Sequence, residues 1–408
     1  MNKRIFNVTL RGLTLISRFL FIFFLAKYLE PSILGAYGIF TATVGYALYF
    51  VGLDFYVFTT REILKNDKKR WGGFLKNQAC VSSVLYVFLL IALVFLIALQ
   101  KITIIQTLWF FVILFFEHLN QEISRLLIAI HKQTVASVLL FLRQGLWAII
   151  VVVLMMFYPV LRTLEFVFAL WLASGVLTFV LGLLCLHKVG MGGWRDKIDY
   201  HWIKLGIQTS GIFLIATLAL RGIQTVDRYW IQSLNGLDVV GAYVLFIGMA
   251  STLMTFLDAG VFSFSYPTLI KLHNDNKKTE FSKQLSKMTL STILLTIVFV
   301  AVSLLVMPYL LKWTGKTVYF EYLDIYYVLM SATIFNALGM ISHYALYAKG
   351  EDKIIIISHV TSMIVFALAT VTISKWSAIL CVPLGLNVAF LYIFIFKTLA
   401  LVIERKSS

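Results

Sequence analysis

The sequence predicts an all-α polytopic membrane protein of twelve transmembrane helices in two six-helix lobes. Three observations predict it. The 408 residues are 60% hydrophobic and only 13% charged, more apolar surface than a soluble chain of this size can hide. The apolar residues come in repeated runs of about 20, the length at which a helix crosses a bilayer core. The two halves also echo each other: Gly35-Ala36-Tyr37 returns as Gly241-Ala242-Tyr243, an offset of 206 residues. The ten-residue alternation of a transmembrane β-barrel is missing.

In chain order the spans are expected at residues 5–27, 35–63, 79–99, 103–125, 134–158, 166–186, 204–231, 238–270, 288–312, 322–347, 354–374 and 378–400. The first has no small-residue cleavage site behind it and reads as an uncleaved helix rather than a signal peptide. The second is the centre of the pattern. Gly35 to Glu62 reads as one helix of about 40 Å, with Asp54 well inside apolar sequence. Its counterpart in the second half ends in Asp258-Ala259-Gly260-Val261-Phe262. Pro267 and Pro383 lie within spans and are expected to bend them.

The connectors alternate in character. Lys65 to Lys76, His187 to Lys204, Lys271 to Lys287 and the tail with Glu404-Arg405-Lys406 are basic; the intervening loops are short and poor in Lys and Arg. By the positive-inside rule both termini face the cytoplasm. The net charge of +16 is therefore a topology signal and a contact with anionic membrane lipid, not a nucleic-acid surface. The connector after the second span repeats as well, Lys65-Asn66-Asp67-Lys68-Lys69 against Asn274-Asp275-Asn276-Lys277-Lys278. Six spans per half is an even number, so both halves enter the membrane in one direction. Their pseudo-two-fold then lies along the membrane normal, a transporter plan. The expected lobes are residues 1–190 and 204–408, with 191–203 as a cytoplasmic linker. Cys80, Cys185 and Cys381 are scattered through apolar sequence and suit neither a metal nor a disulfide framework. No Walker-type phosphate loop is present. The expectation is a protein that is not an enzyme and uses no cofactor or metal.

An ionisable side chain at the bilayer centre costs about 2.5–3.5 kcal/mol, so it faces protein or water. The clear instances are Arg18, Asp54, Glu117, Arg143, Arg221 and Asp258; further ones are His118, Glu122, Asp227, His343 and His359. Subtracting the repeat offset puts Arg221 within one helical turn of Arg18 in the equivalent helix. Arg143 and Glu117 lie at matching depths on neighbouring antiparallel spans. Two readings stand for these charges. The arginines line a cationic cavity for a phosphate-bearing substrate, because a guanidinium stays charged and grips phosphate oxygens in a fork. Alternatively they pair with acids and hold the bundle. Asp54, Glu117 and Asp258 are open to ion coupling or to structural pairing, and the histidines read first as packed or hydrogen-bonded residues.

One stretch carries a resemblance. Arg11-Gly12, Arg18, Leu25-Ala26, Leu29, Pro31 and Gly35-Ala36-Tyr37-Gly38, followed by Gly45-Tyr46 and Gly52-Leu53-Asp54, resemble the polysaccharide-biosynthesis flippases of the O-antigen (Wzx) type. These share a superfamily with the multidrug and toxic-compound extruders and the lipid II flippase. The resemblance is specific over the first 65 residues and extends beyond them in length, span count and repeat. It implies a MATE-like fold and a bacterial inner-membrane protein. It also implies alternating-access transfer of undecaprenyl-pyrophosphate-linked oligosaccharide units to the periplasmic leaflet. It implies Arg18, Arg143 and Arg221 in the cavity, Asp54, Glu117 and Asp258 as coupling candidates, and a polysaccharide polymerase and chain-length regulator as partners. A drug or cation exporter on the same fold is the first alternative; a membrane polymerase or ligase is a more distant one, since the outward loops are short.

Overall fold

The computed structural model describes residues 3–407, with side chains described except at 3–4, 212–213 and 404–407. The Glu404-Arg405-Lys406 part of the basic tail thus lies outside the described side chains. All regular structure among the described residues is helical.

The first half begins with α1 (Lys3–Tyr28), α2 (Pro31–Gly52), α3 (Tyr56–Lys65), α4 (Lys68–Ala98) and α5 (Ile104–Ala129). Next come α6 (Gln133–Phe141) and α7 (Trp147–Phe157), joined by a π-turn at Leu142–Leu146, and then α8 (Leu164–His187). The second half contains α9 (Tyr200–Asn235), then α10 (Leu237–Leu257) and α11 (Ser263–Asn274), joined by a π-turn at Asp258–Phe262. It closes with α12 (Lys278–Thr314), the short α13 (Val318–Glu321), α14 (Leu323–Ala348), α15 (Asp352–Ser374) and α16 (Cys381–Ser407). Among the described residues ten spans are long and apolar enough to cross a membrane, and eleven if Tyr200–Gly211 and Leu214–Asn235 within α9 form one span. The expected twelfth is α5. Its second half carries Glu117, Glu122 and Arg125, and it packs along α8 with Glu117, His118 and Asn120 buried.

Two expectations change. The 40 Å helix from Gly35 to Glu62 is broken: Leu53 and Asp54 both take φ of 49°, and the chain turns before α3. A left-handed residue costs roughly 1–2 kcal/mol outside glycine, less for Asp, whose short side chain bonds locally. The equivalent helix of the second half is interrupted at the matching place, by the π-turn at Asp258–Phe262 (Gly52 and Asp258 are 206 apart). Two of the basic connectors, Lys65 to Lys76 and Lys271 to Lys287, are also mostly helix. Only Asn66 and Asp67 separate α3 from α4, and only Asp275 to Lys277 separate α11 from α12. Lys and Arg are good helix formers, and their stems continue the helix past the apolar stretch that marks a span.

The Gly-Ala-Tyr echo has a packing cause. A Cβ built on Gly35 would lie 2.3 Å from the Leu237 carbonyl oxygen, and one on Gly241 would lie 2.0 Å from that of Pro31. Pro31 and Leu237 are themselves 206 residues apart. Position i of one copy meets position j of the other, and j meets i, the contact that a two-fold axis generates. Only glycine lets the two helix backbones approach this closely.

The chain forms two compact units, residues 1–21 with 40–214 and residues 22–39 with 215–408. This differs from a division at 191–203 in two respects. First, residues 22–39 group with the second half. Glu30 pairs with Lys316 at 2.6 Å, the Tyr319 hydroxyl donates to the Ala26 carbonyl at 3.3 Å, and Lys27 sits 4.0 Å over the Trp313 ring. Such contacts span nearly 300 positions and leave no local sequence signal. Second, residues 191–203 are docked rather than free. Gly192 accepts from the Gly72 amide at 2.7 Å and donates to the Lys68 carbonyl at 3.0 Å. Trp202 is buried against Phe55, Phe58 and Phe74. Within the second unit, α14 is the central helix, packed on α10, α12 and α16.

Candidate functional site

The charges inside the spans fall into four groups. In the first unit, the π-turn after α6 carries Arg143 and Gln144. An inserted residue frees backbone groups and re-aims side chains, which is why π-turns recur at working sites. Arg143 is buried and lies 3.7 Å from Glu117. Glu117 also accepts from the Trp171 indole at 2.8 Å. Of the two readings open for Arg143 from sequence, the depth-matched pairing with Glu117 is the contact present. Beside it, Arg18 is exposed on α1 and donates to the Gln144 side-chain oxygen at 3.1 Å. Gly145 fits closely there, since an added Cβ would be 3.3 Å from Thr14 Cα. Among the described residues no carboxylate pairs with Arg18. One region thus holds a neutralised arginine and an exposed one.

A second group gathers at the break after α2. Asp54 acts electrostatically on Tyr56, whose ring lies 3.5 Å beneath the Arg125 guanidinium. Arg125 pairs with Glu122 at 2.6 Å, and Glu122 accepts from Gln78 at 2.6 Å. His118 is buried close by, its Nε2 within 3.6 Å of where a Cβ on Gly52 would be.

In the second unit, Arg221 is exposed on α9 and donates to Gln224 at 3.1 Å. Further along the same helix, the buried Asp227 pairs with Arg228 at 3.0 Å and accepts from the Tyr243 hydroxyl at 2.6 Å. Tyr243 is fully buried. Tyr243→Phe removes the donor and leaves a buried carboxylate short of one partner. We expect a loss of about 1–3 kcal/mol, read as a lower unfolding temperature. Asp258 is exposed within the π-turn between α10 and α11, beside a groove of about 390 Å³ lined by Gly260, Val261, Ser291 and Leu294.

Of the fourth group, sequence singled out His343 and His359 but not Lys397. Lys397, deep in α16, contacts His343 and His359. Lys397 reads as an end-of-span lysine until α14, α15 and α16 are set side by side. The signal that finds it is a lysine seventeen residues into a helix that is apolar up to that point except for Asn387.

Three of the six clear charges, Asp54, Arg143 and Asp258, sit at helix irregularities. Among the described residues no cluster of three His, Cys, Asp or Glu side chains has metal-site geometry.

Comparison with known proteins places this geometry in a fold. No protein-family model and no curated protein matches the chain. Solved structures do. An inward-facing multidrug resistance MATE family transporter of the MOP superfamily aligns over 98% of this chain and 96% of its own, with TM-score 0.77 and 13% identity. A MATE protein in a bent conformation covers 100% of this chain and 95% of its own, at TM-score 0.59 and 12% identity. A point mutant of the Vibrio cholerae MATE transporter VcmN covers 100% and 93%, at TM-score 0.57 and 13% identity. At such identity the likeness is one of fold. The chain is a multi-pass membrane protein with the two-lobed helical fold of these transporters.

Proposed function

We propose that this chain is a membrane exporter working by alternating access between two helical lobes. The observation that carries the reading is the full-length match of fold to MATE transporters. Export of drug-like or cationic compounds is the substrate reading those relatives support more directly, since multidrug resistance is what one of them is named for. Asp258 suits it: an exposed carboxylate within a span attracts a cation.

A second reading, transfer of a lipid-linked oligosaccharide, is favoured by the chain's own cations. Arg18 and Arg221 are exposed within spans, and the bond from Arg18 goes to the neutral amide of Gln144. An exposed guanidinium has five N–H donors and can turn several of them to phosphate oxygens. Arg143 is the weakest of the three, because Glu117 already matches its charge. In this reading the substrate is an undecaprenyl-pyrophosphate-linked repeat unit, moved across a bacterial inner membrane with both termini cytoplasmic. A polymerase and a chain-length regulator act on the product. A pyrophosphate link carries about two negative charges, each worth about 2.3 kcal/mol per 100 mV. With the interior negative, outward transfer runs downhill. The arginines then serve to replace headgroup hydration, and Asp54, Glu117 and Asp258 serve structure or an optional ion coupling.

The test is a strain lacking this gene and any redundant flippase, scored for surface glycan and for sensitivity to cationic drugs. Drug sensitivity relieved by the wild type but not by Asp258→Asn establishes the first reading. Glycan restored by the wild type and reduced at least about tenfold in Arg18→Ala, at normal protein level, establishes the second. No change in either phenotype contradicts both.

A further inference from the structure

Three bases meet between α14, α15 and α16. Lys397 is 1% exposed. Its Nζ lies 3.1 Å from His343 Nδ1 and 2.9 Å from His359 Nε2. The two imidazole rings are parallel, with 6° between planes and centroids 5.9 Å apart. Among the described residues no carboxylate forms an ion pair with Lys397.

The surrounding titratable groups are few. From α14 come His343 and Tyr344, whose rings meet edge-on at 5.4 Å. From α15 comes His359, and Thr361 on the same helix bonds Tyr392 of α16 at 2.9 Å. Tyr266 of α11 stacks on Tyr344 at 5.5 Å, and Asp258 acts on Tyr344 electrostatically from the adjoining π-turn. The lysine thus has two imidazole acceptors and, among the described residues, no paired countercharge.

That arrangement is a poor structural device. A purely structural link would be better made with matched charges or with apolar packing, because an uncompensated buried charge is costly. It is a good device for holding a removable proton. With the proton bound, the ammonium makes two charge-assisted bonds, and the lone pairs at His343 Nδ1 and His359 Nε2 accept them. With the proton gone, the desolvation cost of the charge vanishes and the bonds weaken to neutral ones. The two effects oppose each other, so neither state dominates at every pH.

We propose that Lys397, His343 and His359 form a binding site for one exchangeable proton, and that its occupancy sets how tightly α14, α15 and α16 are held together. On release the Nζ–H bond breaks, the electron pair stays on nitrogen and the proton passes to water. The site is independent of the substrate readings above, and its test uses no substrate.

The experiment is the unfolding temperature of the purified full chain in lipid nanodiscs from pH 5 to 9. The wild type shows a step in this profile. Lys397→Met, of similar length and without a proton to lose, removes the step. His359→Gln and His343→Gln keep it and move its midpoint by at least about half a pH unit, because each changes the acceptor that the ammonium meets. A wild-type profile without a step, or a Lys397→Met profile superimposed on the wild type, overturns the proposal. Should Lys397→Met fail to fold, the glutamine variants decide: unmoved midpoints mean that the cluster only packs.

Discussion

Gly241→Ala lowers the unfolding temperature sharply. The added Cβ would stand 2.0 Å from the Pro31 carbonyl oxygen, a backbone atom that cannot swing aside as a side chain would. The α2 and α10 helices must separate along their crossing. We expect about 3 kcal/mol or more, at the upper end of overpacking costs, against a total stability of about 5–15 kcal/mol for a typical protein. Gly35→Ala meets the reciprocal obstacle, the Leu237 carbonyl at 2.3 Å. Because both variants open the same crossing, their costs combine to less than their sum. Gly45→Ala is the control: nothing lies within 4 Å of its added Cβ, and alanine favours the helix. Thermal unfolding in detergent reads all three. Equal stability of the Gly241 and Gly45 variants would remove the crossing from the account.

Glu117→Ala is the second large effect. It strands the Arg143 charge in a site where both side chains are less than 10% exposed and takes the acceptor from the Trp171 indole. Removing one partner of a buried pair costs about 3–5 kcal/mol, whereas replacing both with apolar groups of similar size is often neutral. Glu117→Gln keeps an acceptor for Trp171 and loses less. The paired change Glu117→Met with Arg143→Met recovers most of the loss. Unfolding temperatures in that order, lowest for the alanine variant, support a structural pair. An alanine variant as stable as the wild type would mean that water reaches Arg143 and would return it to the substrate route.

The contrast between these two predictions shows what sequence carries. The repeated Gly-Ala-Tyr was visible as a sign of two copies, but not as a crossing, because only the packed helices show that a symmetric backbone contact demands the same small residue twice. The Arg143–Glu117 pair was visible because depth along a helix is set by counting residues. The breaks were not. A π-turn adds one residue without disturbing an apolar run, so neither Leu142–Leu146 nor Asp258–Phe262 leaves a mark in hydropathy. The turn at Leu53 and Asp54 puts a leucine where glycine is usual, with Gly52 just ahead as the only hint. Amide partners such as Gln144 for Arg18 depend on the register of helices 126 positions apart. Lys397 and its meeting with His343 and His359 were hidden for the same reason, the three bases being supplied by three separate spans.

Reconstitution tests whether this fold exports an amphipathic substrate past exposed in-span charges. Purified protein in proteoliposomes is given, in parallel, a fluorescent cationic drug inside the vesicles and a pyrophosphate-linked polyprenyl oligosaccharide in one leaflet. Protein-dependent movement of one of the two is expected. Drug efflux should fall at least about tenfold in Asp258→Asn, or lipid transfer should fall as much in Arg18→Ala, each at unchanged protein content; about 1.4 kcal/mol of lost stabilisation suffices for a tenfold change. Movement of neither, by protein shown to be folded and inserted, would contradict such export.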